Sequence, residues 1–180
     1  MEITYERFEP ADAEELVGFL SGDTWPFHGS DVVDPADARK SVAGGSYDDQ
    51  DNRTFWITAG GERVGFVRLM DLSDRTPMFD LRIRSERRGQ GLGEGALTWL
   101  TEYVFAEFPL VQRIEGNTRQ DNAVMRRTFQ KCGYVKEAHY RDAWPASDGT
   151  LHDAVGYAML RRDWVSGTTT VPDWNDERIG

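Results

Sequence analysis

The densest chemistry in the chain lies in Arg84-Ser85-Glu86-Arg87-Arg88-Gly89-Gln90-Gly91-Leu92-Gly93. It follows an apolar strand-like run and opens a helical pattern. Glycines let a backbone come close to a ligand, and the first N–H groups of a helix lack intrahelical acceptors. The helix dipole favours negative charge at that end, and flanking arginines add charge-assisted contacts. A pyrophosphate suits such a loop. Two other readings remain open on these residues. Gly91-x-Gly93-x-x-Ala96 fits a loose dinucleotide-binding fingerprint, with Glu115 at a tolerable distance for the ribose acid, although mostly charged residues and three earlier strands precede it. A glycine-rich turn that only caps a helix is the second. A P-loop is excluded, because no Gly-Lys-Ser/Thr follows a four-residue gap.

A second group is aromatic. Trp25, Phe27 and His28 fall in a Trp-Pro-Phe-His-Gly loop. They read either as the wall of a small-substrate pocket or as a plug over the core. His139 and His152 have no metal-ligand spacing, so no metal is expected. Cys132 falls on the apolar side of its helix and reads as a small hydrophobe.

These residues need a frame. Alternation in Ile3–Phe8 predicts a strand, and Ala13, Leu16, Val17 and Leu20 recur at helical spacing. Asp34-Pro35 starts a second short helix. Thr54–Thr58 and Arg63–Met70 read as a hairpin around Gly60-Gly61, followed by a strand over Met78–Ile83. Leu92, Ala96, Leu97, Leu100, Val104 and Phe108 form one apolar stripe from about Gly91 to Phe108. A strand over Val111–Thr118, a helix over Asn122–Cys132 and a closing hairpin (Tyr134–Trp144, Leu151–Leu160) complete the order β, α, α, βββ, α, β, α, ββ. That is mixed α/β and not a repeating βαβ wheel. Residues 1–165 form the expected domain, with 166–180 as a loose tail.

Composition narrows the class. The 180 residues are 39% hydrophobic and 12% aromatic, enough for a core and too apolar for disorder. No run approaches a membrane span, and Met1–Glu6 has no secretory signal. With a single cysteine, a cytoplasmic protein without disulfides is expected. The net charge of -10 argues against nucleic acid as a partner. Arg82, Arg84, Arg87 and Arg88 are nevertheless a cationic island in this acidic chain.

Arg88-Gly89-Gln90-Gly91-Leu92-Gly93 resembles motif A of the GNAT superfamily of N-acetyltransferases, Gln/Arg-x-x-Gly-x-Gly/Ala. Asn122, Ala123, Phe129 and Gly133-Tyr134 sit where that superfamily has its Asn helix and the Gly-Phe strand after it. Asp148-Gly149-x-x-His152-Asp153 with Leu160–Trp164 is similar to the Rim-type branch, which acetylates protein N-termini. The likeness spans Ile3 to Trp164 and matches the element order. It implies a mostly antiparallel sheet of six to seven strands with about four helices.

The resemblance implies acetyl-CoA as co-substrate. The backbone of Arg88, Gly89, Gln90, Gly91, Leu92 and Gly93 would hold its pyrophosphate. Leu81, Arg82 and Ile83 would pair with its pantetheine arm, and an N–H near Ile83 would polarise the thioester carbonyl. Asn122 would contact the cofactor, or be a plain helix N-cap. Trp25, Phe27 and His28 would wall the acceptor site. An ammonium must lose its proton before attack. The family's usual base Glu corresponds to Asn117, its acid Tyr to Phe129, and a Rim-type Ser to Met125. The usual acid–base pair is therefore missing. Glu115, Asp142 and Asp80 are the substitute candidates, with a water relay as the alternative. The expected function is acetyl transfer to a primary amine, a protein N-terminus or a small molecule, by a monomer or homodimer. A non-catalytic acyl-CoA-binding module is the rival reading.

Overall fold

The computed structural model describes residues 2–175. Seven strands form one sheet in the order β1-β2-β3-β4-β5-β7-β6. They are β1 (Ile3–Arg7), β2 (Arg53–Ala59), β3 (Glu62–Met70), β4 (Met78–Ile83), β5 (Arg113–Arg119), β6 (Val135–Pro145) and β7 (Leu151–Leu160). The helices are α1 (Ala13–Ser21), α2 (Pro35–Ala43), α3 (Leu92–Glu107), α4 (Ala123–Lys131) and α5 (Arg161–Ser166). All neighbouring strands are antiparallel except β4 and β5.

Period-two alternation divides the core between the faces of the sheet. Phe55, Ile57, Val67 and Leu69 join the apolar stripe of α3 and Phe129 of α4 on one face. Trp56 and Phe66, one residue out of phase, join Leu16, Phe19, Leu20 and Trp25 on the other. The hairpin turn at Gly60-Gly61 has positive φ at both residues (63° and 82°), the geometry two-residue loops favour.

The parallel pair positions everything that follows. β4 and β5 meet only at Met78↔Glu115, and their pairing goes no further. Gly116 sits at that crotch. A Cβ there would lie 2.6 Å from Cζ of Phe129 and 2.7 Å from Cζ of Phe79. Two aromatic rings therefore occupy the space a side chain at Gly116 would need, and β5 turns instead to a full ladder with β7.

One helix was not expected. α5 is too short for a periodic signal, and β7 runs straight into it. The Arg161 guanidinium donates to the carbonyls of Phe105, Phe108 and Val111 at 2.9, 2.7 and 2.6 Å, serving acceptors at the C-terminal end of α3. Buried Asp163 accepts from the Thr170 amide at 3.0 Å, which ties the segment after α5 to the domain as far as Thr170. The tail expected to be loose from residue 166 is thus anchored over its first residues, and 176–180 lie outside the described ones.

Candidate active site

The N-terminus of α3 is a cradle made of main chain. Its N-cap, Gly91, has φ +80°, a left-handed conformation that costs other residues dearly, and no side chain caps the helix. The amides of Leu92, Gly93 and Glu94 consequently lack intrahelical acceptors. A Cβ built on Gly89, Gly91 or Gly93 meets nothing within 4 Å, so the space in front of the loop is open. A cleft of about 540 Å³ begins there and is bounded across from the loop by Thr128, Arg127 and Lys131 of α4. Open glycines, unpaired amides and facing cations suit a diphosphate.

The arginines of the loop frame it more than they serve the cleft. Arg88 donates to the carbonyls of Ile83 and Thr24, both at 2.9 Å, and its guanidinium lies 5.6 Å from the Trp25 ring. Arg84 stacks on Phe19 at 4.5 Å. Gln90 is exposed and does not line the cleft. Leu92 contributes its backbone, because its side chain is buried in the core.

From the cradle the cleft follows β4 past Ile83, Arg82 and Leu81. The Arg84 amide donates to Val64 of β3 at 2.9 Å, and the Pro77 carbonyl accepts from Glu115 of β5 at 3.0 Å. Alternation then aims the main-chain groups of Phe79, Leu81 and Ile83 at the gap between β4 and β5. Leu81 and the Ile83 N–H thus present an unpaired strand edge, suited to an amide-bearing arm, while the Ile83 carbonyl is taken by Arg88.

A second cavity, of about 360 Å³, lies in the splay, lined from one side of the sheet by Arg68, Asp80 and Arg82 and from the α4 side by Phe79, Met125 and Phe129. Both cavities include Phe27, His28, Leu81, Arg82, Asn122 and Met125, so together they form one passage through the splay. The loop Trp25–Gly29 spans it. Arg88 pins that loop at Thr24, and Arg119 pins it at the Pro26 carbonyl (3.1 Å) while lying 5.1 Å from the Phe27 ring. Trp25 itself is fully buried, with its indole N–H donating to the Leu20 carbonyl at 2.8 Å. It packs over the core and borders the first cleft, while Phe27 and His28 line both cavities.

Asp80 sits on the floor of the second cavity. Arg82 Nε reaches its carboxylate at 3.1 Å, and His28 Nε2 at 3.2 Å. Burial by itself would raise the Asp80 pKa. The hydrogen bond from His28 and the charges of Arg82, His28 and Arg68 outweigh that and hold the carboxyl well below the usual carboxylate range. Asp80 is therefore a fixed anion and a poor proton acceptor.

The other two carboxylate candidates are not brought to the passage. Glu115 lies on the same strand face as Asn117, as alternation requires, but at the closed end of the splay beside Arg113 (3.6 Å). Asp142 is exposed at an irregularity in the β6–β7 ladder, with φ 53° and its amide donating to Asp153 at 3.0 Å. Asn122 is the N-cap of α4, accepting from the Met125 amide at 3.1 Å, and also a lining residue of both cavities. Sequence reasoning missed Arg68, whose place depends on the β3–β4 register opposite Asp80. It also missed Arg127 and Lys131, although two bases at i, i+4 on one helix face were a visible signal. Among the described residues no group of His, Cys, Asp or Glu could hold a metal, and no helix is long and apolar enough to cross a membrane.

Residues 2–135 match the acetyltransferase (GNAT) domain family, three quarters of the chain. The chain belongs to the GNAT acetyltransferases. It is 25% identical over 172 residues to the Bacillus subtilis protein named "Putative ribosomal N-acetyltransferase YdaF", covering 90% of this chain and 93% of that one. The same fold is found in spermidine/spermine N-acetyltransferase SpeG from Vibrio cholerae (TM-score 0.75, 16% identity, 92% and 96% covered). It is also found in RimL, a ribosomal L7/L12 alpha-N-protein acetyltransferase solved with coenzyme A (TM-score 0.74, 17% identity, 88% and 93% covered). As a GNAT N-acetyltransferase, the chain belongs to a family that moves acetyl groups from acetyl-CoA to amines. The positions at which the resemblance expected an acid, a base and a serine are Phe129, Asn117 and Met125. All three line the second cavity, and none exchanges a proton usefully.

Proposed function

We propose that this GNAT protein acetylates a primary amine that enters from the Asp80 face of the sheet, while acetyl-CoA enters from the α3–α4 face. The observation that carries this is the single passage through the β4–β5 splay. One mouth combines main-chain donors with the facing cations of α4, and the other is a cluster of charged side chains around Asp80. Bound acetyl-CoA supplies the activated acyl group. The amides of Leu92 and Gly93 would hold its pyrophosphate, Leu81 would pair with its arm, and the Ile83 N–H on the open edge would donate to the thioester carbonyl.

His28 is the proton acceptor in this reading. The titratable residues lining the acceptor-side cavity are His28, Arg68, Asp80 and Arg82. The guanidinium groups carry no acceptor, and Asp80 is held as a stable anion. Imidazole is the side chain most used for proton transfer. With Nε2 directed at Asp80, Nδ1 keeps its lone pair; it is buried in this structure, so the amine's proton would reach it through a water or a turn of the ring, and Asp80 acts as a positioning residue that fixes the tautomer.

The test is thiol release from acetyl-CoA against a panel of amines. Wild type is expected to turn over, and His28→Gln to lose about 100-fold in kcat, in the range general-base catalysis supplies, with acetyl-CoA affinity kept. Binding of acetyl-CoA without thiol release from any amine overturns the reading in favour of a binding module.

A further inference from the structure

The acceptor side of the passage is cationic in a chain that is strongly anionic. Its floor holds two permanent cations, Arg68 and Arg82, and one carboxylate, Asp80. Arg82 and Asp80 keep only 13% and 10% of their side-chain surface. Asp80 is shared between Arg82 and His28, so one guanidinium charge stays without a carboxylate of its own. Arg68 is held by the Ser46 carbonyl (3.3 Å) and lies 4.8 Å from the Tyr47 ring, neither of which is an anion.

The hydrogen-bond inventory has a gap at the same place. Arg68 Nε, Arg82 Nη1 and His28 Nδ1 are buried without a partner. Buried polar groups are nearly always satisfied, and an unmet donor on a charged group is costly. All three atoms belong to residues lining this one cavity. The surplus positive charge on a cavity floor lined by Arg68 and Arg82 suits an anionic group in the cavity, and the unmet N–H groups show that the protein itself supplies too few acceptors there.

We propose that the acceptor amine carries a carboxylate close to its nitrogen, recognised by Arg68 and Arg82. This rests on the transferase reading above. The same cations assist the chemistry, because positive charge nearby disfavours an ammonium and makes its proton easier to lose to His28. A polyamine, with several positive charges and no anion, meets repulsion here. An acidic peptide N-terminus and a small amino acid both supply the required group.

Matched acceptors test this by kcat/KM for thiol release. Peptides beginning Ser-Asp and Ser-Asn form one pair, β-alanine and its amide a second, and spermidine is the cationic control. The acid should exceed its amide by about tenfold or more in at least one pair, the scale of a charge-assisted contact, with spermidine poorest. The pair with the larger ratio identifies a peptide or a small molecule as the source of the carboxylate. Arg68→Gln should bring that ratio to within about twofold, while Arg68→Lys should keep most of it. The wild-type ratios decide the matter even if a variant folds poorly. Equal use of acid and amide, or a preference for spermidine, overturns the inference and leaves the transferase reading standing. No turnover of any amine by an acetyl-CoA-bound protein removes both.

Discussion

The two mouths of the passage are built from different materials. On the α3–α4 face, the contacts proposed for acetyl-CoA are main-chain amides at a helix start and an unpaired strand edge, with side chains secondary. On the Asp80 face, the groups proposed to meet the acceptor form an ion cluster drawn from a loop and two strands: His28, Arg68, Asp80 and Arg82. A site made of backbone needs only that certain positions lack side chains, so it depends on one short stretch. A site made of side chains depends on strand register and loop placement, and each member is stable only because the others are present. The first side should therefore be easy to block without harm to the fold. The second should be hard to alter without cost.

Asp80→Asn probes that difference most severely. Removing the carboxylate leaves Arg82 and Arg68 buried without it, and a broken buried pair costs on the order of 3 kcal/mol. Urea unfolding of the variant should show that loss. The pH dependence follows from the sign of the shift. A carboxyl held below its usual pKa stabilises the fold above about pH 4, and this is lost as pH falls further. Wild type should lose stability in that acid range by more than Asp80→Asn does. Equal acid sensitivity would show that the cluster does not carry this stability.

Gly93→Glu is the counterpart on the backbone side. There is open space at that position, and an acidic residue in the first turn favours a helix. Acetyl-CoA affinity should fall by about 100-fold or more from repulsion of the pyrophosphate, with Tm unchanged or slightly raised. Undiminished affinity in calorimetry would remove the cradle from the cofactor site.

Asn122→Ala strikes the residue shared by both cavities. Loss of the α4 cap should cost about 1 kcal/mol in denaturant unfolding. Arg127→Gln should have the smallest effect, a roughly threefold weaker affinity for acetyl-CoA that fades at high salt, as expected of an exposed charge. If Arg127→Gln outweighed Gly93→Glu, side chains would dominate the cofactor mouth and the contrast between the two sides would vanish.

How much of this was legible beforehand follows the same division. The strand and helix order could be read because apolar residues recur at period two or near 3.6, and those periods are local. Gly89, Gly91 and Gly93 could be read because a left-handed cap and a close anion approach each require a missing side chain. α5 escaped because six residues carry no period. Glu115 lies on the strand face that alternation assigns it, but where β4 and β5 part is set by Phe79 and Phe129 packing over Gly116. That contact joins residues far apart in sequence. The partnership of His28 with Asp80 spans the α1–α2 loop and β4 and left no mark on either segment.

The sequence by itself determined the layers and the glycine start of α3, because these depend on neighbouring residues, and its likeness to the family placed Phe129 and Asn117 where an acid and a base are usual. Only the tertiary structure decided that a buried carboxylate would be shared by His28 and Arg82, with Arg68 left short of an anion. Burial and charge compensation are properties of the assembled groups: Asp80 stays ionised through its neighbours, and they are near it only once the chain has folded.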